Sequence, residues 1–115
     1  MTPNTNAIIE SSIIIPCGRP ERAEASIRSV LKDVVGRNAE IIVVGQGVSM
    51  LNERLPSIIC IDADRRLSPS QARNRGARSS RGEFLLFLDD DCEVVSGWYD
   101  NALHALKTYD QIGAV

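Results

Sequence analysis

Four short runs, Ser12–Pro16 (SIIIP), Glu40–Val44 (EIIVV), Ile58–Ile61 (IICI) and Glu83–Leu88 (EFLLFL), are apolar over consecutive positions rather than at every second one. A strand with one wet face alternates, so a run without alternation predicts a strand covered on both faces, as in a parallel sheet. Between the first two runs, Pro20 can open a helix in which Ala23, Ile27, Val30, Leu31 and Val34 recur at helical spacing, with Gly36 following as a stop. Strand, helix and strand in that order predict a β-α-β unit.

Before the fourth run, Ser68-Pro69-Ser70-Gln71 offers a capping serine, a proline at the first helical position and a glutamine three residues after the cap. This predicts a helix from about Pro69 to Ser79, ended by Gly82, whose inward residues Ala72 and Gly76, with Ser79 or Ser80 beside them, are small enough to lie close on a sheet. Further on, Ser96 is expected to cap a last helix with Trp98, Ala102, Leu106 and Tyr109 on one face, and Ile112–Val115 (IGAV) reads as the start of another strand. The expected fold class is α/β, a Rossmann-like, mainly parallel sheet flanked by helices. Ligands of such sheets gather outside the carboxyl ends of the strands. Here that edge is Pro16–Arg19, Gly45–Gly47, Asp62–Arg66 and Asp89–Asp91.

A chain of 115 residues with 43% hydrophobic content can bury one core. One domain over residues 12–115 is expected, after a polar, flexible leader over residues 1–11. The net charge of −2 provides no global basic field, which argues against nucleic acid as a partner. Cys17, Cys60 and Cys92 are odd in number and far apart, which fits neither a disulfide framework nor a zinc site. With no signal peptide and no apolar run of membrane length, the expected setting is cytoplasmic, at most peripheral to the inner membrane face.

The fourth run ends in Asp89, Asp90 and Asp91. If the extended backbone continues through them, Asp89 and Asp91 point to one side and Asp90 to the other. At roughly 6 to 7 Å and an effective dielectric of about 20, repulsion between the paired carboxylates is on the order of 2 to 3 kcal/mol before solvent screening. Something positive should therefore lie nearby. A hard divalent cation, Mn²⁺ or Mg²⁺, fits, because such ions take one or two protein carboxylates together with substrate phosphates. The plain alternative is a solvated strand end paired with Arg73, Arg75, Arg78 or Arg81.

The order SIIIP, EIIVV, ARNRG at 72–76, GEFLLFLDDD at 82–91 and GWY at 97–99 resembles the family 2 glycosyltransferases from about Ser12 onward. The resemblance implies a GT-A fold, a nucleotide-diphospho-sugar donor and metal-assisted, inverting transfer through a D-x-D motif to a glycan, lipid or protein acceptor. By it, Asp89 bears on the ribose or phosphate side of the donor and also serves the metal, which Asp91 ligates. Pro16, Cys17 and Arg19 flank the nucleotide pocket, and Arg73 approaches the nucleotide while Asn74 braces the loop. Asp90 belongs to the donor-binding set in a structural part.

The sequence also departs from the family pattern. P-x-Y-N-R is replaced by Pro16-Cys17-Gly18-Arg19, without the aromatic, and the acidic residue expected after the second strand is Gly45. Gln46 then becomes the candidate amide for the base, with Asp62 or Asp64 as other candidates. The carboxylate acting as general base would lie beyond this chain, which reads as the donor-binding half of a longer domain. An open sheet edge at that end fits homo-oligomer pairing.

His104, without a partner at metal spacing, reads as a surface or packing residue, and Cys92, without an adjacent base, is a poor nucleophile. Arg65 and Arg66 precede the amino end of the Ser68-capped helix, where a phosphate is favoured, although an ordinary basic loop is the plainer reading; Arg78 and Arg81 read as a solvated helix face. Two rival readings stand: a non-catalytic nucleotide-binding or interaction module, and a haloacid-dehalogenase-like phosphatase. Glu93 speaks against the phosphatase, since it occupies a position where that motif carries threonine or valine.

Overall fold

A computed structural model describes residues 8–108. Strands β1 (Ile9–Pro16), β2 (Ala39–Gln46), β3 (Ile59–Ala63) and β4 (Gly82–Phe87) form one parallel sheet in the order β3-β2-β1-β4. Three helices, α1 (Pro20–Asp33), α2 (Pro69–Ser79) and α3 (Trp98–Thr108), and a 3-10 helix over Val48–Glu53 complete it. The α/β, Rossmann-like class expected from the sequence is the one observed.

Alternation along β1 and β2 divides the core in two. Ile13, Ile15, Ile41 and Val43 face α1 and α3, where they meet Ala23, Ile27, Val30, Tyr99, Leu103 and Leu106. On the opposite face, Ile14, Ile42 and Val44 meet Ala72 of α2. A Cβ on Gly76 would lie 2.5 Å from Ile14 Cγ2, so only glycine lets α2 settle this close to the sheet. Ser68 Oγ accepts from Gln71 N (3.2 Å) and Gln71 Oε1 accepts from Ser68 N (2.9 Å), the reciprocal capping box expected at the start of α2.

Several boundaries differ from expectation. β1 begins at Ile9, so Ile9–Ser11 belong to the sheet and not to a leader; residues 1–7 of that leader lie outside the described residues. Ser11 is buried because its hydroxyl accepts from Tyr99 OH (2.9 Å), a satisfaction that no apolar pattern reveals. β1 and β2 are buried on both faces over their central residues, Ser11–Ile15 and Glu40–Gly45; among the described residues β3 and β4 are the sheet edges, and their burial is mixed. Ser96 is replaced as the anchor of α3 by Asp33, whose carboxylate accepts from Gly97 N (2.9 Å) and Tyr99 N (2.7 Å). The buried face of α3 is Tyr99, Ala102, Leu103 and Leu106, with Trp98 partly buried; Tyr109 and Ile112–Val115 lie outside the described residues.

At the amino ends of the strands, buried Glu40 accepts from Ser12 Oγ (2.5 Å) and from the N (2.7 Å) and Nε (3.3 Å) of Arg81. Arg81, expected on a solvated face, thus ties the start of β4 to β2. This polar joint closes one end of the sheet and leaves the other open to ligand. Among the described residues, no helix is long and apolar enough to cross a membrane.

Candidate functional site

The carboxyl ends of β1, β2 and β4 and the amino end of α2 surround a cavity of about 940 Å³. Its wall includes Pro16, Cys17, Arg19, Gln46, Arg73, Asp89, Asp90 and Asp91, so the fold brings every residue of the expected donor and metal set to one place. Arg22, Arg66, Leu67 and Ser68 also line it. Arg22 is outside the expected set although its spacing from Arg19, one turn along α1, is readable; Arg66 stands on the wall before the amino end of α2, the place where a phosphate is the alternative to a plain basic loop.

The three carboxylates do not continue the strand. Leu88 N still donates to Ile14 O (3.1 Å), but Asp89–Cys92 then form a turn closed by Cys92 N donating to Asp89 O (3.3 Å). The turn, not strand alternation, sets their directions. Asp90 Oδ2 reaches back to accept from Gly18 N (3.0 Å) and Arg19 N (3.4 Å), fastening the β1 exit to the β4 exit. Exposed Asp89 and Asp91 converge instead: ligand atoms of Asp89, Asp91 and Cys92 all lie within 4.8 Å of one another.

Two exposed carboxylates within reach of one ion, both on the cavity wall, are oxygen donors that leave coordination positions for phosphate. The donor set therefore fits Mn²⁺ or Mg²⁺. The positive neighbour anticipated for this pair is Arg73, whose Nη2 lies 3.5 Å from Asp89 Oδ1. Arg19, Arg22 and Arg66 add further cationic groups to the wall. The capping box occupies Gln71 N and Pro69 has no N–H, which leaves Ser70 as the first-turn amide free of the box. Anion attraction here accordingly rests on guanidinium groups and the helix dipole more than on a ring of amides.

On the base side, Gly45 is required by close approach. A Cβ there would lie 2.0 Å from Cys17 O, because Cys17 N donates to Val44 O (2.8 Å) and draws the β1 exit across β2. The space in which an acidic side chain would begin is filled by backbone. Gln46 is exposed on the cavity wall. Asp62 is elsewhere engaged: its Oδ1 accepts from Gly47 N (2.6 Å) and its Oδ2 from the Ser49 hydroxyl, and neither Asp62 nor Asp64 lines the cavity. Burial first, and then the Asp90 carboxylate, push the Cys17 thiol up to about 12, so Cys17 is a neutral wall residue and no nucleophile at neutral pH. Asn74 is exposed on α2.

The Ser49 hydroxyl, and then the Gly47 amide, hold the Asp62 carboxyl below the usual aspartate range. A lowered value means that the anchor is complete above the ordinary aspartate pKa and is lost as pH falls through the lowered one. Amide exchange at Gly47 should accelerate, relative to the β1–β2 ladder, only over that acid interval. An anchor that loosened at neutral pH would contradict this assignment.

The family model described as glycosyl transferase family 2 matches residues 12–115. Polypeptide N-acetylgalactosaminyltransferase 16 of Homo sapiens is 32% identical over 95 residues, covering 74% of this chain and 17% of that protein. Polypeptide N-acetylgalactosaminyltransferase 14 of Homo sapiens is 37% identical over 54 residues, covering 47% of this chain and 10% of that protein. The crystal structure of S. aureus TarS 1–349 has a TM-score of 0.70 at 18% identity, covering 88% of this chain and 33% of that one, a likeness of fold. The chain thus spans between a tenth and a third of the proteins named here.

Proposed function

The chain belongs to glycosyl transferase family 2, and from that membership we propose that it forms the part of a glycosyltransferase that binds a nucleotide-diphospho-sugar donor. The observation that carries this reading is the convergence of Asp89 and Asp91 in a cavity whose wall also holds Arg19, Arg22, Arg66 and Arg73. Opposite charges face one open space, which suits a cation together with a diphosphate.

Asp91 and Asp89 would hold a divalent cation, Mn²⁺ or Mg²⁺, which when bound neutralises charge on the diphosphate as the sugar is transferred. The arginines attract and orient the phosphates, and Arg73 also holds Asp89 in position. Gln46 offers an amide donor and acceptor to the base edge. Asp90 keeps the β1 exit on the wall through the Gly18 and Arg19 amides. Among the described residues, the wall bears no carboxylate beyond Asp89–Asp91 and no imidazole. Inverting transfer would therefore draw its general base from the acceptor side, where a glycan, lipid or protein hydroxyl would enter.

The absence of an acid at Gly45 favours one rival, a binding module without transfer activity. Thermal unfolding with UDP, GDP or TDP, each with and without Mn²⁺, tests donor binding. A ligand at 100 times its Kd stabilises by about 2.7 kcal/mol, so the melting temperature should rise by several degrees with nucleotide and metal together and much less with either alone. No joint effect at millimolar nucleotide would overturn the donor-site reading.

A further inference from the structure

Among the described residues four polar side chains are buried: Ser11, Ser12, Glu40 and Ser26. The first three serve the amino half of the strands, where they bond Tyr99, Gly82 and Arg81. Ser26, 2% exposed on α1, turns the other way: its hydroxyl donates to Asp89 O (3.4 Å) and to Cys92 O, the closer of the two. We propose that Ser26 is a positioning residue of the donor site, which aims the Asp89–Asp91 pair and so sets its affinity for the cation while touching neither cation nor nucleotide. This rests on the cation reading above and extends it from the residues that hold the ion to the one that holds them.

A buried hydroxyl requires a partner, and this one has the first and last carbonyls of a single turn. Asp90 and Asp91 lie between those two points. Asp91 has little else to direct it, since its only side-chain hydrogen bond among the described residues comes from the exposed Cys92 thiol. Asp89 is held in addition by Arg73, at 3.5 Å. Loss of the Ser26 hydroxyl therefore acts chiefly through Asp91.

Helix α1 can impose this geometry because it is itself fixed: Ala23, Ile27 and Val30 are fully buried in the core with Ile13, Ile15, Ile41 and Val43 of the sheet. Arg22, one turn before Ser26, stands on the cavity wall. One helix thus carries both an arginine of the phosphate side and the support of the cation pair. Ser29 secures the next stretch, its Oγ accepting from Val94 N (3.0 Å) and donating to Ser26 O (2.6 Å). The chain beyond the turn stays tethered when the Ser26 hydroxyl is removed, so the loss falls on the turn itself. Outer partners of a metal site change its affinity by about 10- to 100-fold, and a support acting through backbone carbonyls belongs at the lower end.

Calorimetric titration of the full chain with Mn²⁺ tests this in the wild type, Ser26→Ala, Ser29→Ala and Asp91→Asn, well below each melting temperature so that every protein is folded. Each serine variant should melt about 4 to 8 °C lower, the shift that one lost hydrogen bond produces. Lower stability alone leaves the affinity of the folded protein in place, so affinity reports positioning. Mn²⁺ affinity should fall about tenfold in Ser26→Ala and stay within about twofold of the wild type in Ser29→Ala. Unchanged affinity in Ser26→Ala, or an equal loss in Ser29→Ala, overturns the positioning role and leaves the cation site standing. Wild-type Mn²⁺ binding that is absent, or that Asp91→Asn retains in full, overturns the cation reading and this inference with it.

Discussion

Replacing Gly45 with alanine is expected to destabilise the fold by about 3 kcal/mol or more, at the upper end of overpacking costs. The added Cβ would sit 2.0 Å from Cys17 O, 3.0 Å from Cys17 C and 3.3 Å from Val48 Cγ1. Two of those atoms are backbone and cannot rotate away. The β1 exit would have to lift off β2, breaking the Cys17 N to Val44 O bond and displacing the Gly18 and Arg19 amides from Asp90. Denaturant unfolding should show a lowered midpoint. Gly45→Asp, which places an acid where the family pattern has one, should be at least as damaging and should weaken nucleotide binding. A stable Gly45→Asp protein with improved binding would contradict this account of the base side.

Asp91→Asn is expected to lower metal-dependent nucleotide affinity by about two orders of magnitude, the larger end of losses seen when the support of a metal site is removed. The amide keeps the shape but removes the charge that a hard cation requires. Asp91 is exposed, and its only hydrogen bond among the described residues is the one from Cys92 Sγ, so stability should change by no more than about 0.5 kcal/mol. Asp90→Asn is the contrasting case. It weakens the acceptor for Gly18 N and Arg19 N, so its effect should fall on stability and on the shape of the wall. Adjacent aspartates thus have separable roles, and the two readouts together distinguish them.

Features fixed by neighbours in the chain were legible without coordinates. The α2 capping box depends on residues three apart, and the helix runs over Pro69–Ser79 as expected. Consecutive isoleucines and valines revealed β1 and β2, and the general rule for parallel sheets then placed the ligand edge. The features that were not legible depend on distant partners. Asp33 anchors α3 across more than sixty residues, and Glu40 finds Ser12 and Arg81 on two other strands. Gly45 reads in the sequence as a missing acid, whereas in the fold Cys17 O occupies its side-chain space. The Asp89–Cys92 turn is likewise set by Ser26 of α1, so strand periodicity put Asp89 and Asp91 on the same side for a reason other than the operative one. Sheet order, which makes β3 and β4 edges, is not encoded in any single run.

The central claim is that Asp89 and Asp91 hold a cation to which a nucleoside diphosphate binds. Calorimetric titration of the wild type and Asp91→Asn with the nucleoside diphosphate giving the largest thermal shift, each with and without Mn²⁺, tests it most directly. The account predicts Mn²⁺-dependent binding to the wild type that Asp91→Asn abolishes while its unfolding midpoint stays in place. Equal binding by the two proteins, or binding indifferent to Mn²⁺, would contradict it.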